Sequence, residues 1–351
     1  MKATEHRYIV GDSFKRWSLE DETVDLIVTS PPYPMIEMWD HIWTSEKSTI
    51  TDHIANDNGK KAWAVMHQIL DQSWTESFRV LKPGGYVCIN IGDATRTLGG
   101  RFQIYPNHSR IIQGCQEVGF DLLPSIIWRK PTNAPNKYMG SGMLPAGAYV
   151  TLEHEHILIM RKGEKRAFAK ADRERRSESA LFWEERNLWY TDLWTDILGA
   201  QQKLNISSQR KRSAAYPIDL PYRLMMMYSI AGDLVLDPFA GVGTTSLAAI
   251  ATGRNSISMD IDEKLVNSSL KMPTKRDTKD NLNALTNNRL KDHMEYVNTK
   301  DMLFFRYRNE PLGIPVKTMQ EKHLNLYTIK SISRRDDKVS AKYTKFKHAK
   351  G

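Results

Sequence analysis

At 351 residues and 40% hydrophobic content, the chain is long enough for one large domain or two ordinary ones with a sizeable core. No apolar run approaches the roughly 18–20 residues of a membrane span, and the first residues carry no signal-peptide core. Two cysteines, Cys88 and Cys115, are too few for a disulfide framework or a Cys-rich zinc site, so a reducing cytoplasm is the expected compartment. The net charge of +9 is uneven: residues 271–351 hold about 19 Lys and Arg against about 9 Asp and Glu, which points to a polyanion met partly through that segment.

In chain order, "RYIVGD" reads as a strand ending at Gly11-Asp12. "VDLIVTS" reads as a second, buried strand that runs into Ser30-Pro31-Pro32-Tyr33-Pro34. Apolar residues at Trp63, Met66, Leu70, Trp74, Phe78 and Leu81 predict a helix, which "LKPGG" should stop. "YVCINIGD" predicts a strand, and Ile111 to Val118 part of a helix closed by Gly119. "DLLPSIIWRK" and "EHEHILIMRKG" look like further strands, separated by a long Pro-, Gly- and Asn-rich loop from about 131. A charged stretch over 161–180 and a Trp-rich one follow. "GDLVLDPFAGVGTTSLAAIATGRNSISMDID" then restores a strong strand–helix–strand signal.

Alternating strands and helices predict an α/β fold: a Rossmann-like, mostly parallel sheet with helices on both faces. The expected organisation is a catalytic domain over 1–270, with a candidate target-recognition insert at about 131–215, and a basic C-terminal extension over 271–351. In such sheets ligands sit outside the carboxyl ends of the strands. Both "TSPPY" and "DPFAGVG" follow strand-like runs and should open onto that edge.

The first of these motifs ends a core strand in two residues without backbone N–H, leaving carbonyls held in a narrow range of directions. In the second, a strand ends at Asp237, and Gly241 and Gly243 allow a tight turn that a ligand can approach closely. Thr244 and Thr245 can cap the next helix. A second strand ends in Asp260 and Asp262, where an acid is placed to accept from ribose hydroxyls. Glycine turn plus strand-tip acid reads as a site for a nucleoside-bearing cofactor. The pattern is neither a full G-x-G-x-x-G nor a G-K-[ST] loop. In "EHEHIL" the two Glu and two His alternate between faces. His154 and His156 could bind a metal, but no third ligand lies nearby in sequence, so no metal is expected. Trp183, Trp189 and Trp194 read as packing rather than as a stacking platform.

Together, Ser30-Pro31-Pro32-Tyr33 and Asp237 to Thr245 resemble the amino-methyltransferases that act on exocyclic amines of DNA bases. The catalytic motif precedes the cofactor motif, as in the permuted class called β. Softer matches are "RVLKPGG", "IIWRK" and "YPIDLPYRL", and the resemblance covers roughly residues 7–265. It implies S-adenosyl-L-methionine as cofactor and double-stranded DNA as substrate. It also implies a flipped base, with direct methyl transfer and neither a metal nor a covalent enzyme–base intermediate. Ser30 Oγ and the Pro31 carbonyl would accept the amine's N–H groups, Pro32 would stiffen the turn, and Tyr33 would stack on the base. By the same resemblance Phe239 lies against the cofactor's adenine or methionine arm, Asp237 near its amino group, Asp260 on the ribose and Asp12 at the adenine edge. Arg129 or Lys130 would meet a phosphate. Members with Ser before the proline pair mostly methylate cytosine N4, and those with Asp mostly adenine N6, so Ser30 favours cytosine. A prokaryotic or phage setting is expected. A cognate restriction endonuclease and a second copy of the chain are candidate partners. The rivals are an adenine-N6 enzyme and a catalytically silent DNA-binding protein.

Overall fold

A computed structural model describes residues 3–130, 144–147, 149–198 and 216–346. Parts of the expected insert, 131–143, 148 and 199–215, therefore lie outside the described residues. The N-terminal elements are β1 (Ala3–Val10), β2 (Val24–Thr29), α1 (Asp40–Glu46), α2 (Thr49–Ala55), α3 (Gly59–Val80) and β3 (Leu81–Ile91). A hairpin β4 (Ala94–Leu98) and β5 (Arg101–Tyr105) leads to α4 (Asn107–Val118), β6 (Asp121–Leu122), β7 (Ile126–Arg129) and β8 (His154–Arg161). Then come α5 (Lys170–Glu178), α6 (Trp183–Trp189), β9 (Leu193–Trp194), α7 (Asp219–Tyr228), β10 (Leu234–Asp237), α8 (Thr244–Thr252), β11 (Asn255–Asp260) and α9 (Glu263–Lys271). The chain continues through α10 (Thr278–Asn298), a short pair β12 (Tyr307–Arg308) and β13 (Pro315–Val316), and a final hairpin of β14 (Tyr327–Arg335) and β15 (Lys338–Lys345).

One sheet runs β14-β15-β1-β11-β10-β2-β3-β8-β7-β9, with β6 added beside β8. Its centre, β1-β11-β10-β2-β3, is parallel, and β8 and β15 run antiparallel against the two flanks of that centre. Every residue of β2 is buried, Asp25 and Thr29 included, as the middle of a covered sheet demands. Helices α3 and α4 cover one face through Met66, Leu70, Trp74, Ile111 and Cys115. Helices α7, α8 and α10 cover the other through Leu224, Met225, Ala248, Ile250 and Leu282.

The helix expected from Trp63 begins earlier, at Gly59, behind an Asn58 cap whose side chain accepts from Lys61 N. "LKPGG" ends it, yet lies within β3. The pairing with β2 jumps from Val24↔Leu81 to Leu26↔Tyr86, so Lys82 to Gly85 bulge out. Gly84 sits at φ +79, where a Cβ would meet Arg166 backbone at 2.5 Å. Helix α4 closes at Gly119, as expected, in the left-handed conformation. Trp189 and Trp194 are core residues. The basic C-terminal segment is folded onto the rest of the chain. Its last hairpin joins the main sheet beside β1, and Arg289 on α10 forms a buried ion pair with Glu185 at 2.5 Å.

This topology brings the carboxyl ends of β1, β11, β10, β2 and β3 to one edge. The antiparallel β8 delivers its first residues, His154, Glu155 and His156, to the same edge opposite Ile91. No helix among the described residues is long and apolar enough to cross a membrane.

Candidate active site

At the tip of β2, Pro31, Pro32 and Pro34 are buried and Ser30 and Tyr33 half-buried. Tyr33 to Ile36 form a tight turn closed by Ile36 N to Tyr33 O at 3.3 Å. Pro34 takes its second position, and Met35 its third at φ +67, where glycine is usual. Met35 is 1% exposed, so packing holds a conformation that costs about 1–3 kcal/mol. Asn107, fully buried at the start of α4, pins this turn. Its amide nitrogen donates to Pro34 O at 3.0 Å and Gly92 O at 3.1 Å. Its oxygen accepts from Trp63 Nε1 at 2.8 Å and from His67 Nε2 at 3.1 Å. Burial pushes His67 down to about 3, so it is neutral and donates through Nε2.

The Tyr33 hydroxyl is the hub of a polar network. It accepts from Ser30 Oγ at 3.1 Å and from Asn90 Nδ2 at 2.9 Å, and it donates to Glu155 Oε2 at 3.0 Å. Asn90 Nδ2 also donates to Glu155 Oε2 at 2.7 Å, and Lys130 Nζ pairs with Glu155 Oε1. Asn90 Oδ1 is buried without a partner among the described residues. Burial first, and then the Glu155 charge, hold the Tyr33 phenol well above its usual range, so it stays protonated.

The neighbouring tip, after β10, is built differently. Asp237 is buried, and its carboxylate accepts from Thr29 Oγ1 at 2.7 Å, Thr245 Oγ1 at 2.5 Å, Tyr216 OH at 3.3 Å and Phe239 N at 3.0 Å. The Thr29 bond joins the proline turn to the glycine turn. Burial lifts Asp237 to about 6, against the pull of these hydrogen bonds. Gly243 precedes Thr244, the first residue of α8, at φ +84, where a Cβ would meet Ser269 Cβ at 2.7 Å. Gly241 has φ +51, and a Cβ there would meet nothing within 4 Å, so its backbone borders open space. Asp260, at the end of β11, accepts from Gly241 N at 2.8 Å and Asp262 N at 2.9 Å. Phe239 is half-buried with its ring 5.7 Å from Phe14. Asp12, one strand further on, accepts from Phe14 N at 2.9 Å and pairs with Lys15 at 2.7 Å. Ser13 Oγ donates to Pro238 O, which ties the β1 tip to the same turn. All of the sequence-derived site residues thus fall on adjoining strand tips of one edge.

This pairing of turns can be set against known proteins. The N6/N4 DNA methylase family matches residues 24–271. The type II methyltransferase M.MthZI of Methanothermobacter thermautotrophicus is 46% identical over 93% of this chain and 91% of its own length. M.MjaI of Methanocaldococcus jannaschii is 47% identical over 75% of this chain and 89% of its own. The chain belongs to the N6/N4 DNA methylase family. TTHA0409 of Thermus thermophilus, solved with S-adenosyl-L-methionine, is 32% identical to this methylase with a TM-score of 0.57, covering 76% of this chain and 92% of that one. The cytosine-N4-specific PvuII methyltransferase shares the fold, with a TM-score of 0.53 at 19% identity over 74% of this chain and 83% of that one.

Several residues of the methylase site had no signature in the sequence. Asn90 looked like any residue of a core strand, and Tyr216 like part of a flanking motif. Asn107 gave no sign beyond opening a helix. Glu155 was visible only as one face of "EHEHIL". One of its two histidines does meet groups from distant segments. His156 stacks on His108 with ring centres 4.0 Å apart at 16°, and His108 Nδ1 bonds Asp93 at 2.8 Å. One ligand atom from each of Asp93, His108 and His156 lies within 4.8 Å of the others, so the third group that was not near the histidines in sequence is supplied by distant segments. The cluster buttresses the β3, α4 and β8 ends. Lys130, expected near a phosphate, is committed to Glu155, and Arg129 lies 3.3 Å from Glu153.

Proposed function

We propose that this methylase modifies the N4 amine of cytosine in double-stranded DNA, with the base flipped out of the duplex. The methyl donor is S-adenosyl-L-methionine, whose sulfonium supplies an activated methyl group when bound. The observation that carries the reading is the Thr29–Asp237 bond, which locks an acceptor-lined turn beside the open side of a glycine turn. The chain fits the cofactor through the open side of Gly241, the half-buried Phe239 ring and the strand-tip acids Asp260 and Asp12. Asp237 is assigned to holding the two turns together, since its carboxylate is filled by four partners from the chain.

An exocyclic amine is a weak nucleophile because its lone pair is delocalised into the ring. Ser30 Oγ and the Pro31 carbonyl accept its two N–H groups and so direct the lone pair towards the methyl. Tyr33 gives the ring a platform, and the buried prolines keep the acceptors from relaxing. Ser30 supports cytosine through the resemblance, since members with Ser before the proline pair mostly methylate cytosine N4 and those with Asp mostly adenine N6.

DNA contact is assigned in part to the tip of the last hairpin, where Arg334 and Arg335 are exposed level with the end of β1. A restriction endonuclease sharing the target sequence is the proposed partner, in keeping with relatives that are type II methyltransferases. The test is mass spectrometry of nucleosides from DNA treated with the enzyme. N4-methylcytosine is the expected product. N6-methyladenine would overturn the base assignment, and no modified nucleoside would overturn the activity.

A further inference from the structure

Glu155 lies outside both motifs and touches neither turn's backbone, yet among the described residues it terminates the hydrogen-bonded chain of side chains that leads to Ser30. It is 8% exposed. An ionised carboxylate can only accept hydrogen bonds, and Lys130 Nζ pairs with this one at Oε1. Oε2 receives two donors, Asn90 Nδ2 at 2.7 Å and the Tyr33 hydroxyl at 3.0 Å. Reversing the Asn90 amide would set its oxygen against Oε2, acceptor on acceptor, so that orientation is fixed. Tyr33 has one proton and spends it on Glu155. Its oxygen then accepts from Asn90 and from Ser30. Ser30 also has one proton, and spends it on Tyr33.

We propose that Glu155 is a positioning residue that sets the direction of the chain Ser30→Tyr33→Glu155, so that Ser30 Oγ meets the target amine as an acceptor only. A serine by itself has no such bias, since its hydroxyl can turn either way. The inference rests on the reading of Ser30 as an acceptor for the amine. It adds that the polarity of this acceptor is imposed from β8, two hydrogen bonds away. It also gives the Lys130–Glu155 pair a purpose other than DNA contact.

The deciding variant is Glu155→Gln made together with Asn90→Leu, with Asn90→Leu alone as its parent, because an Asn90 amide no longer facing a carboxylate would reverse and accept from Tyr33 in its place. Lys130 will draw the new amide's oxygen, which turns its NH2 towards Tyr33. With no other acceptor in the network, Tyr33 must then donate to Ser30, and the Ser30 proton swings into the site, where it opposes an N–H. The expected result is a fall in kcat of about 10–100-fold with KM for DNA and calorimetric affinity for S-adenosyl-L-methionine held within about twofold. Tyr33→Phe cuts the same chain without disturbing the ion pair and should lower kcat by a similar factor. Added to the paired Glu155→Gln and Asn90→Leu variant it should cost little more, because both remove one function. A kcat within about twofold of its parent in either folded variant, or losses that multiply when the two are combined, overturns the proposal. Should the paired variant fail to fold, Tyr33→Phe alone decides. Ser30→Ala separates the two levels: full activity there defeats the reading of the site itself, whereas a loss there with an active paired variant defeats only the directional role.

Discussion

Two turns occupy adjoining strand tips of the same sheet, one written in prolines and the other in glycines. The proline turn after β2 offers no backbone donor at Pro31, Pro32 or Pro34, and presents oxygens. The glycine turn after β10 bends through φ +51 and φ +84; its Phe239, Ala240, Gly241 and Gly243 N–H groups are bonded within the chain, and at Gly241 it borders open space. The first turn presents acceptors, and the second clears room beside the main chain. Two different uses are therefore obtained from the same topological position, one by removing backbone donors and the other by removing side chains. Rigidity is also reached differently. The proline turn is clamped from outside by Asn107, and the glycine turn is pinned from within by Asp237.

The contrast can be broken on either side. Ser30→Ala removes an acceptor from the proline turn and should lower kcat on the order of 10²–10³-fold with cofactor affinity unchanged. Steady-state kinetics with calorimetry reads both quantities. Gly243→Val attacks the glycine turn through the 2.7 Å approach to Ser269 and the positive φ. It should cost about 2–4 kcal/mol of unfolding free energy in a denaturant titration. Asp237→Asn probes the link between the turns. Burial raises the folded pKa from 3.8 to about 6, so the folded state holds this proton to higher pH than the unfolded chain does. The group's contribution is therefore present at low pH and is lost as pH rises through that window. The asparagine variant should lack this slope, by about 1–3 kcal/mol relative to the parent between the ends of the window, in melts run across it. Asp260→Ala should weaken S-adenosyl-L-methionine binding by about tenfold while DNA affinity holds, and an unchanged calorimetric constant removes it from the cofactor's contacts. The smallest effect is expected outside both turns. Arg334→Ala with Arg335→Ala should reduce the slope of log affinity against log salt by about 1–2.

The turns themselves were legible because their chemistry is local. A proline pair or a Gly-x-Gly after a strand declares a backbone requirement within a few residues. The parallel core was equally legible from its alternating strands and helices. What escaped was whatever depends on pairing across the sheet. Glu155 reaches Tyr33 from 122 positions away, through the register of β8 on β3. The alternation in "EHEHIL" separated its acids from its histidines but could not say which face would meet the site. The final hairpin escaped for another reason. Its lysines and arginines sit on strand positions open to solvent, so charge masked a strand pattern whose inward residues, Val339 and Ala341, are small.

Strand β1 lies between β11 and β15, and its His6 is 250 positions from its β11 partner Ser256. On the ribosome, this segment emerges long before anything exists for it to zip onto. Asp12 and the Ser13 bond to Pro238 consequently cannot be set until β10 and β11 have been translated. Competence to bind the cofactor should therefore arrive late and all at once, which spares a cell from half-made chains that grip S-adenosyl-L-methionine without being able to use it.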